Sequence, residues 1–298
     1  MDHFHFIVNP ISGSGKGQRT FEAVSSRLSV RSIPFTYAMS ERPGHAAELA
    51  KAAVERGEKC IVAVGGDGTL REIAMALVDT DCVLGILPAG SGNDLCKTLG
   101  IPTTPEEGMD LLLDGEVRAM DACLANETLF FNVAGMGFDV EVLQRTDVYK
   151  EKLRLNGMLP YVMGIVSALA HRPGMKLTYT ADGETHFMES VIFSAGNGRY
   201  IGGGMKALPH ANAFDGKFDV SAVRRPPFFR FLSLLPKFIK GTHLSAPEVH
   251  YFRAEEITVE SSGEYIIELD GELVEKTPVH FRMLPGALKV IAPEPKEE

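Results

Sequence analysis

Three short segments carry residue types suited to handling phosphate. The first, Asn9-Pro10-Ile11-Ser12-Gly13, runs on into Ser14-Gly15-Lys16-Gly17. It matches neither common phosphate-loop pattern. P-loop spacing asks for Gly at 10 and Ser or Thr at 17, where the chain has Pro10 and Gly17. A dinucleotide fingerprint starting at Gly13 asks for Gly at 18, which is Gln18. Small residues ahead of a helix still expose backbone N–H groups to an anion, and Lys16 and Arg19 add positive charge. A plain strand-to-helix turn accounts for this segment equally well. The second segment, Gly65-Gly66-Asp67-Gly68-Thr69, is more telling. Its three glycines in four residues remove the Cβ atoms that keep a phosphate away from the backbone. A carboxylate such as Asp67 beside phosphates makes sense when Mg²⁺ lies between them. Thr69 offers a hydroxyl or caps the following helix. The third, Pro88-Ala89-Gly90-Ser91-Gly92-Asn93-Asp94, repeats the combination of bare backbone and polar side chains.

The elements around these segments decide whether they meet. Apolar runs at Phe4–Val8, Phe35–Ala38, Cys60–Val64 and Val83–Leu87 read as strands, and the intervening stretches near 17–29, 44–56 and 69–78 as helices. That alternation implies a parallel sheet built from right-handed crossovers. Each glycine-rich segment then follows a strand, at the edge of an open α/β sheet where ligands bind, and together they form a nucleotide site. After about Val117 the texture changes to strand-like runs separated by Gly, Asp-Gly and Pro turns: 175–180, 189–195, 218–223, 256–260, 265–269, 279–283 and 288–291. Helical stretches near 158–171 and 228–240 interrupt them. The expectation is an α/β domain over 1–126 and a mostly antiparallel β domain over 127–298, whose last strand can pack back on the first.

The motifs N-P-x-S-G, G-G-D-G-T-L-x-E and P-x-G-S/T-G-N-D, in this order, resemble the diacylglycerol kinase and sphingosine kinase-like lipid kinases, above all their small bacterial members. The resemblance continues through Gly135-Met136-Gly137-Phe138-Asp139, Gly196-Asn197-Gly198, Gly202-Gly203-Gly204, Pro209-His210-Ala211, Asp215-Gly216 and Asp270-Gly271-Glu272, and so covers almost the whole chain. Departures are mild: Ser91 stands where threonine is usual and Arg71 where asparagine is common. The resemblance implies a nucleotide domain like that of NAD kinase and phosphofructokinase, followed by a β-sandwich. It implies ATP and Mg²⁺ as cofactors and a lipid hydroxyl as acceptor, most readily that of diacylglycerol. Other lipid alcohols (phosphatidylglycerol, a sphingoid base, ceramide) are the alternative. The nucleotide contacts it implies are Asn9, Pro10, Ile11, Ser12, Gly13, Ser40, Gly65, Gly66, Asp67, Gly68, Thr69, Leu70, Glu72, Gly90, Ser91, Gly92 and Asn93, with Lys16 and Arg19 at the phosphates.

By spacing alone Asp270-Gly271 is a hairpin turn between strand-like runs. The resemblance makes Glu272 the general base that takes the proton from the attacking hydroxyl, with Asp270 orienting it or holding metal through water. The stretch from Asn212 to Asp219 is likewise either an Asp-Gly loop or, by resemblance, a structural Mg²⁺ site using the Asp215 carboxylate and the carbonyls of Asn212 and Lys217. Retention of Asp67, Asp270 and Glu272 together speaks against a nucleotide-binding regulator that has lost catalysis.

Charge bounds the partners. The 298 residues carry a net charge of −9, which argues against a general nucleic-acid binder. The segment 222–247 nevertheless holds five Lys or Arg and no acid, interleaved with Phe and Leu; its +5 leaves −14 for the rest. Within it, 224–243 is either a core-packed helix with a solvated basic face or a helix for peripheral contact with an anionic membrane. The uncharged run Leu155–Ala170 is too short to span a bilayer, and the N-terminus has no leader pattern. The four widely spaced cysteines read as buried free thiols. A cytoplasmic protein is expected, with a homodimer as an option left open by similar proteins.

Overall fold

In the computed structural model, which describes residues 3–153, 158–171 and 174–294, the early apolar runs become a parallel sheet. Strand β1 (Phe4–Val8) leads to helix α1 (Ser12–Val30), β2 (Phe35–Met39), α2 (His45–Glu55), β3 (Cys60–Gly65), α3 (Asp67–Leu77), β4 (Val83–Pro88), α4 (Asp94–Leu99), α5 (Pro105–Asp114) and β5 (Glu116–Ala125). β1 pairs in parallel with both β2 and β3, and β3 with β4. β1, β3 and β4 are buried along their length, as continuous apolar runs in a parallel sheet should be. Phe21, Val24 and Leu28 of α1 pack on Phe4, Phe6 and Val62. Because the chain leaves β1 on one side and returns at β3 on the other, the order changes direction beside β1. The loops after β1, β3 and β4 lie at the carboxyl ends of these strands.

The remaining elements are β6 (Thr128–Phe130), β7 (Val133–Gly137), α6 (Phe138–Leu153), α7 (Met158–His171), β8 (Met175–Ala181), β9 (Glu184–Gly196), β10 (Phe218–Arg224), α8 (Phe228–Lys240), β11 (Val249–Ala254), β12 (Glu256–Ser261), β13 (Ile266–Leu269), β14 (Glu272–Lys276) and β15 (Val279–Ala292). Two compact units result. The first comprises 1–122, 213–216 and 284–298; the second comprises 123–212 and 217–283. In the second unit antiparallel pairing runs β14-β13-β7-β9-β8-β12, and β10 joins β9 to β11. Its core gathers Phe130, Tyr179, Phe193, Phe218 and Phe281.

β15 serves both units in turn. Residues 279–282 pair with β12 in the second, and Lys289 and Val290 pair in parallel with β4 in the first. The two strands expected over 279–283 and 288–291 are therefore one. Among the described residues, elements not expected from the sequence also appear: β5, β6, α5, α6, β7 and β11. α7 and α8 have the expected bounds, whereas Leu155, Asn156 and Gly157 of the apolar run lie outside the described residues. Among the described residues no helix is long and apolar enough to cross a membrane. All four cysteines are free and buried.

Candidate nucleotide and phosphoryl-transfer site

The three glycine-rich loops of the first unit come together because they have no side chains where they touch. A Cβ on Gly90 would stand 2.5 Å from the Gly66 Cα, and one on Gly13 would stand 2.1 Å from the Ala89 carbonyl oxygen. Gly17 is closed off in the same way by the Asn9 carbonyl, at 2.0 Å. No residue with a Cβ could replace these glycines without moving backbone. Gly68, by contrast, faces open space, with no atom within 4 Å of where its Cβ would be. Side chains lace the loops: Asn9 Nδ2 donates to Thr69 Oγ1 at 3.0 Å, and Ser12 Oγ donates to the Ala89 carbonyl at 3.5 Å. Gly13, Ser14 and Gly15 are left-handed, so regular helix begins at Lys16, close to the expected start.

Asp67 ties the second loop to the third. Its Oδ2 accepts the Asn93 amide at 2.7 Å and its Oδ1 the Asp94 amide at 2.8 Å. Asn93, itself left-handed, completes a small ring by exchanging side-chain hydrogen bonds with the amide and carbonyl of Gly90. Burial, followed by the charge of Asp94, pushes the Asp67 carboxyl above the usual range, while the amides pull the other way. Asp67, expected as a Mg²⁺ ligand, is in this structure the clamp between two loops.

The other expected nucleotide residues spread over several duties. Leu70 is buried in α3, and Ile11 and Ser91 are exposed. The Ser40 amide donates to the Val8 carbonyl. Both Glu72 oxygens accept amides at the start of α2, from Gly44 at 2.9 Å and Ala46 at 3.1 Å, so this side chain holds a helix terminus. Arg19 is exposed, and its Nη1 donates to the Ser14 carbonyl at 3.4 Å.

In the second unit Asp270-Gly271 is a two-residue hairpin turn, positive in φ at both positions, which is the geometry Asp-Gly favours. The Asp270 carboxylate accepts three consecutive amides: Phe131 at 2.9 Å, Asn132 at 2.8 Å and Val133 at 3.2 Å. The carboxylate thus ties the turn to the segment 131–133. Glu272 follows, exposed, as the first residue of β14. Beneath it Glu268 accepts the Gly271 amide at 2.6 Å. The Gly196-Asn197-Gly198 motif folds onto Asn132, whose carbonyl oxygen accepts the amides of both Asn197 and Gly198.

The segment 212–217 straddles the two units: Asp215 belongs to the first, Asn212 and Lys217 to the second. Lys217 Nζ lies 3.9 Å from a Glu255 oxygen. The sequence reading overlooked Asp121, a buried carboxyl beside Asp215 that accepts the amides of Gly216 at 2.7 Å and Gly286 at 2.8 Å. Its carboxyl is raised by burial, against these amides, and the Asp215 charge adds to the rise. An isolated aspartate in Met120-Asp121-Ala122 offers no pattern from which to suspect it.

Comparison with known proteins decides the family. The profile described as Diacylglycerol kinase catalytic domain matches residues 3–125, and the one described as YegS C-terminal NAD kinase beta sandwich-like domain matches 132–292. The chain belongs to the diacylglycerol kinase and YegS-like family of lipid kinases. A diacylglycerol kinase of Mycobacterium tuberculosis is 29% identical over 294 residues, covering 96% of this chain and 94% of the relative. A Chromohalobacter salexigens protein named "Probable lipid kinase YegS-like" is 31% identical over 255 residues, covering 84% and 81%. The crystal structure of a diacylglycerol kinase from Bacillus anthracis shares the fold, with a TM-score of 0.78 at 22% identity over 98% of this chain and 97% of that one. The lipid kinase thus pairs an α/β catalytic domain with a β-sandwich-like one.

Proposed function

We propose that this lipid kinase transfers the γ-phosphoryl group of ATP, with Mg²⁺, to the hydroxyl of diacylglycerol. The observation that supports it is the cradle in which Gly13, Gly66 and Gly90 let three loops meet at the ends of β1, β3 and β4. Bare backbone there suits close approach by phosphates, with the start of α3 directed at the anion. The Asp67 and Asp94 carboxylates, hard oxygen donors, both lie beside Gly92, with Asp94 Oδ1 also paired with Lys97 Nζ at 3.0 Å. That suits a cation which takes one or two carboxylates and draws its other ligands from phosphate and water. Among the described residues no cluster of three or more His, Cys, Asp or Glu side chains could hold a metal by itself. Bound there, Mg²⁺ supplies neutralisation of phosphate charge. Lys16 and Arg19 add cations at the first loop. Glu272 takes the hydroxyl proton as the lipid oxygen bonds to the γ-phosphorus and the bond to the ADP oxygen breaks.

Contact with an anionic membrane surface is assigned to α8. Phe231, Leu234 and Phe238 fill the core against Phe138 and Val191, so the core-packing half of the expectation applies as well. Phe229 and Ile239 remain 81% and 58% exposed beside Lys237 and Lys240. Arg230 contributes less, because its guanidinium is paired with both oxygens of Glu248 at 2.7 and 2.9 Å.

The test is incubation with γ-labelled ATP, Mg²⁺ and a panel of lipid alcohols in vesicles, followed by identification of the labelled product. Phosphatidic acid as the main product supports the proposal. A phosphorylated sphingoid base, ceramide or phosphatidylglycerol would move the acceptor, and no labelled lipid would leave a regulator that binds nucleotide only.

A further inference from the structure

Two buried acids have no part in the reaction as described. Glu268 of β13 and Asp139 at the start of α6 point into the same space above Gly135 of β7. A Cβ on Gly135 would stand 1.8 Å from Asp139 Oδ2 and 2.7 Å from Glu268 Oε1. Both oxygens occupy the room that this glycine leaves, on a strand paired with β13 in register Gly135 to Glu268. Glu268 is 4% exposed. Asp139 Oδ1 accepts the Val140 amide at 3.0 Å, whereas its Oδ2 is buried without a hydrogen-bond partner. Two carboxylates this close in an apolar surround cannot both keep a charge, and a proton on one of them supplies the donor that the orphaned oxygen lacks. The far oxygen of Glu268, Oε2, accepts the Gly271 amide at 2.6 Å, one residue before Glu272.

We propose that Asp139 and Glu268 share a proton as a carboxyl–carboxylate bridge and act as positioning residues, gripping the Gly271 amide so that the turn presents Glu272 in one orientation. This rests on Glu272 acting as the base. The turn is then held from two sides, by Asp270 on the amides of 131–133 and by the acid bridge on Gly271. Burial is consistent with the bridge: it pushes Asp139 up to about 7 and Glu268 well above the carboxylate range, and the charges of Asp139 and Asp270 add to the rise at Glu268. The bridge also gives a physical reason for glycine at 135 and acid at 139 in Gly135-Met136-Gly137-Phe138-Asp139.

The experiment compares Glu268→Ala, Glu268→Gln and Asp139→Asn with the unmodified enzyme. It reads kcat, KM for ATP, and hydrogen exchange of the peptide carrying 270–272. Glu268→Ala is expected to lower kcat about 10- to 100-fold, as misplacement of a reacting group does. KM for ATP should stay within about twofold, and exchange at the turn should speed up. Glu268→Gln and Asp139→Asn replace the shared proton with an amide donor, so each should recover kcat to within about threefold and restore protection. If Glu268→Ala fails to fold, Glu268→Met fills the volume without an acceptor and takes its place. Unchanged kcat and exchange in Glu268→Ala, or a Gln variant as impaired as Ala, would overturn the proposal. Glu272→Gln run in parallel separates the two readings. If it stays active, Glu272 is not the base, and turn exchange alone then decides whether the acid bridge holds Gly271.

Discussion

Asp67 and Asp270 each open an Asp-Gly pair, each in its own unit, and each gives its carboxylate to main-chain amides of a neighbouring loop. What surrounds them differs. Asp67 sits at the first turn of α3 among loops stripped of side chains, next to a second acid, Asp94. Asp270 closes a tight hairpin whose next strand residue, Glu272, is exposed. One clamp therefore holds open a cradle of backbone donors, and the other presents a single carboxylate. The same dipeptide does different work because the partner loop differs: bare backbone suits an anion, and a rigid turn suits a proton acceptor.

Removing the clamps one at a time should separate these duties. Asp67→Ala takes away both the tie between the loops and the oxygen donor for a cation. It should lower kcat/KM for ATP by about 10²–10³-fold, the range seen when a preorganised electrostatic element is lost. Steady-state kinetics at saturating lipid reads this directly. Asp270→Ala strands three amides at 131–133 and should destabilise the second unit by about 3 kcal/mol, read as a lowered denaturation midpoint. ATP affinity should hold within about twofold. Equal loss of ATP binding in both variants would erase the distinction drawn here.

A pH-dependent effect follows from Asp139. Its folded pKa of about 7 lies above the value of about 3.9 for the unfolded chain, so between these pH values the folded state holds a proton that the unfolded state has lost. The contribution is present in full below pH 4 and declines as pH rises through 7, by up to about 1.4 kcal/mol per pH unit. His243 slopes the other way: burial lowers it to about 4, and its contribution is lost as pH falls from 6.5. The net profile mixes both with the raised carboxyls of Asp67, Asp121 and Glu268, so the observable is the difference between the unmodified protein and Asp139→Asn over pH 4–7. That difference should shrink the advantage of the native acid as pH rises, and a pH-independent difference would contradict it. The smallest expected change is at α8. Lys237→Glu with Lys240→Glu should weaken binding to anionic vesicles about tenfold and leave turnover on detergent-dispersed lipid within about twofold. Equal losses in both would count against membrane contact.

The close meeting of the three loops was legible in the sequence because excluding Cβ atoms leaves a visible mark, glycine after glycine at strand ends. The bounds of α7 and α8 were legible from their apolar spacing. α6 was not, since Phe138, Val140 and Val142 alternate with acids as a strand would. α5 was missed although Thr104-Pro105-Glu106-Glu107 carries a start signal that the structure uses: Thr104 Oγ1 accepts the Glu107 amide. The acid bridge and Asp121 were invisible for a deeper reason. Each depends on residues far apart in the chain meeting across paired strands or loops, and no local spacing encodes that. Glu72 shows a duty the motif does not announce: its carboxylate accepts the Gly44 and Ala46 amides at the start of α2.

The central claim, a phosphorylated lipid made with Glu272 as proton acceptor, is tested most directly by Glu272→Gln assayed for γ-label transfer to diacylglycerol beside equilibrium ATP binding. The variant should transfer label at least about 10²-fold more slowly and bind ATP within about twofold of the unmodified enzyme. Undiminished transfer would contradict the assignment of Glu272.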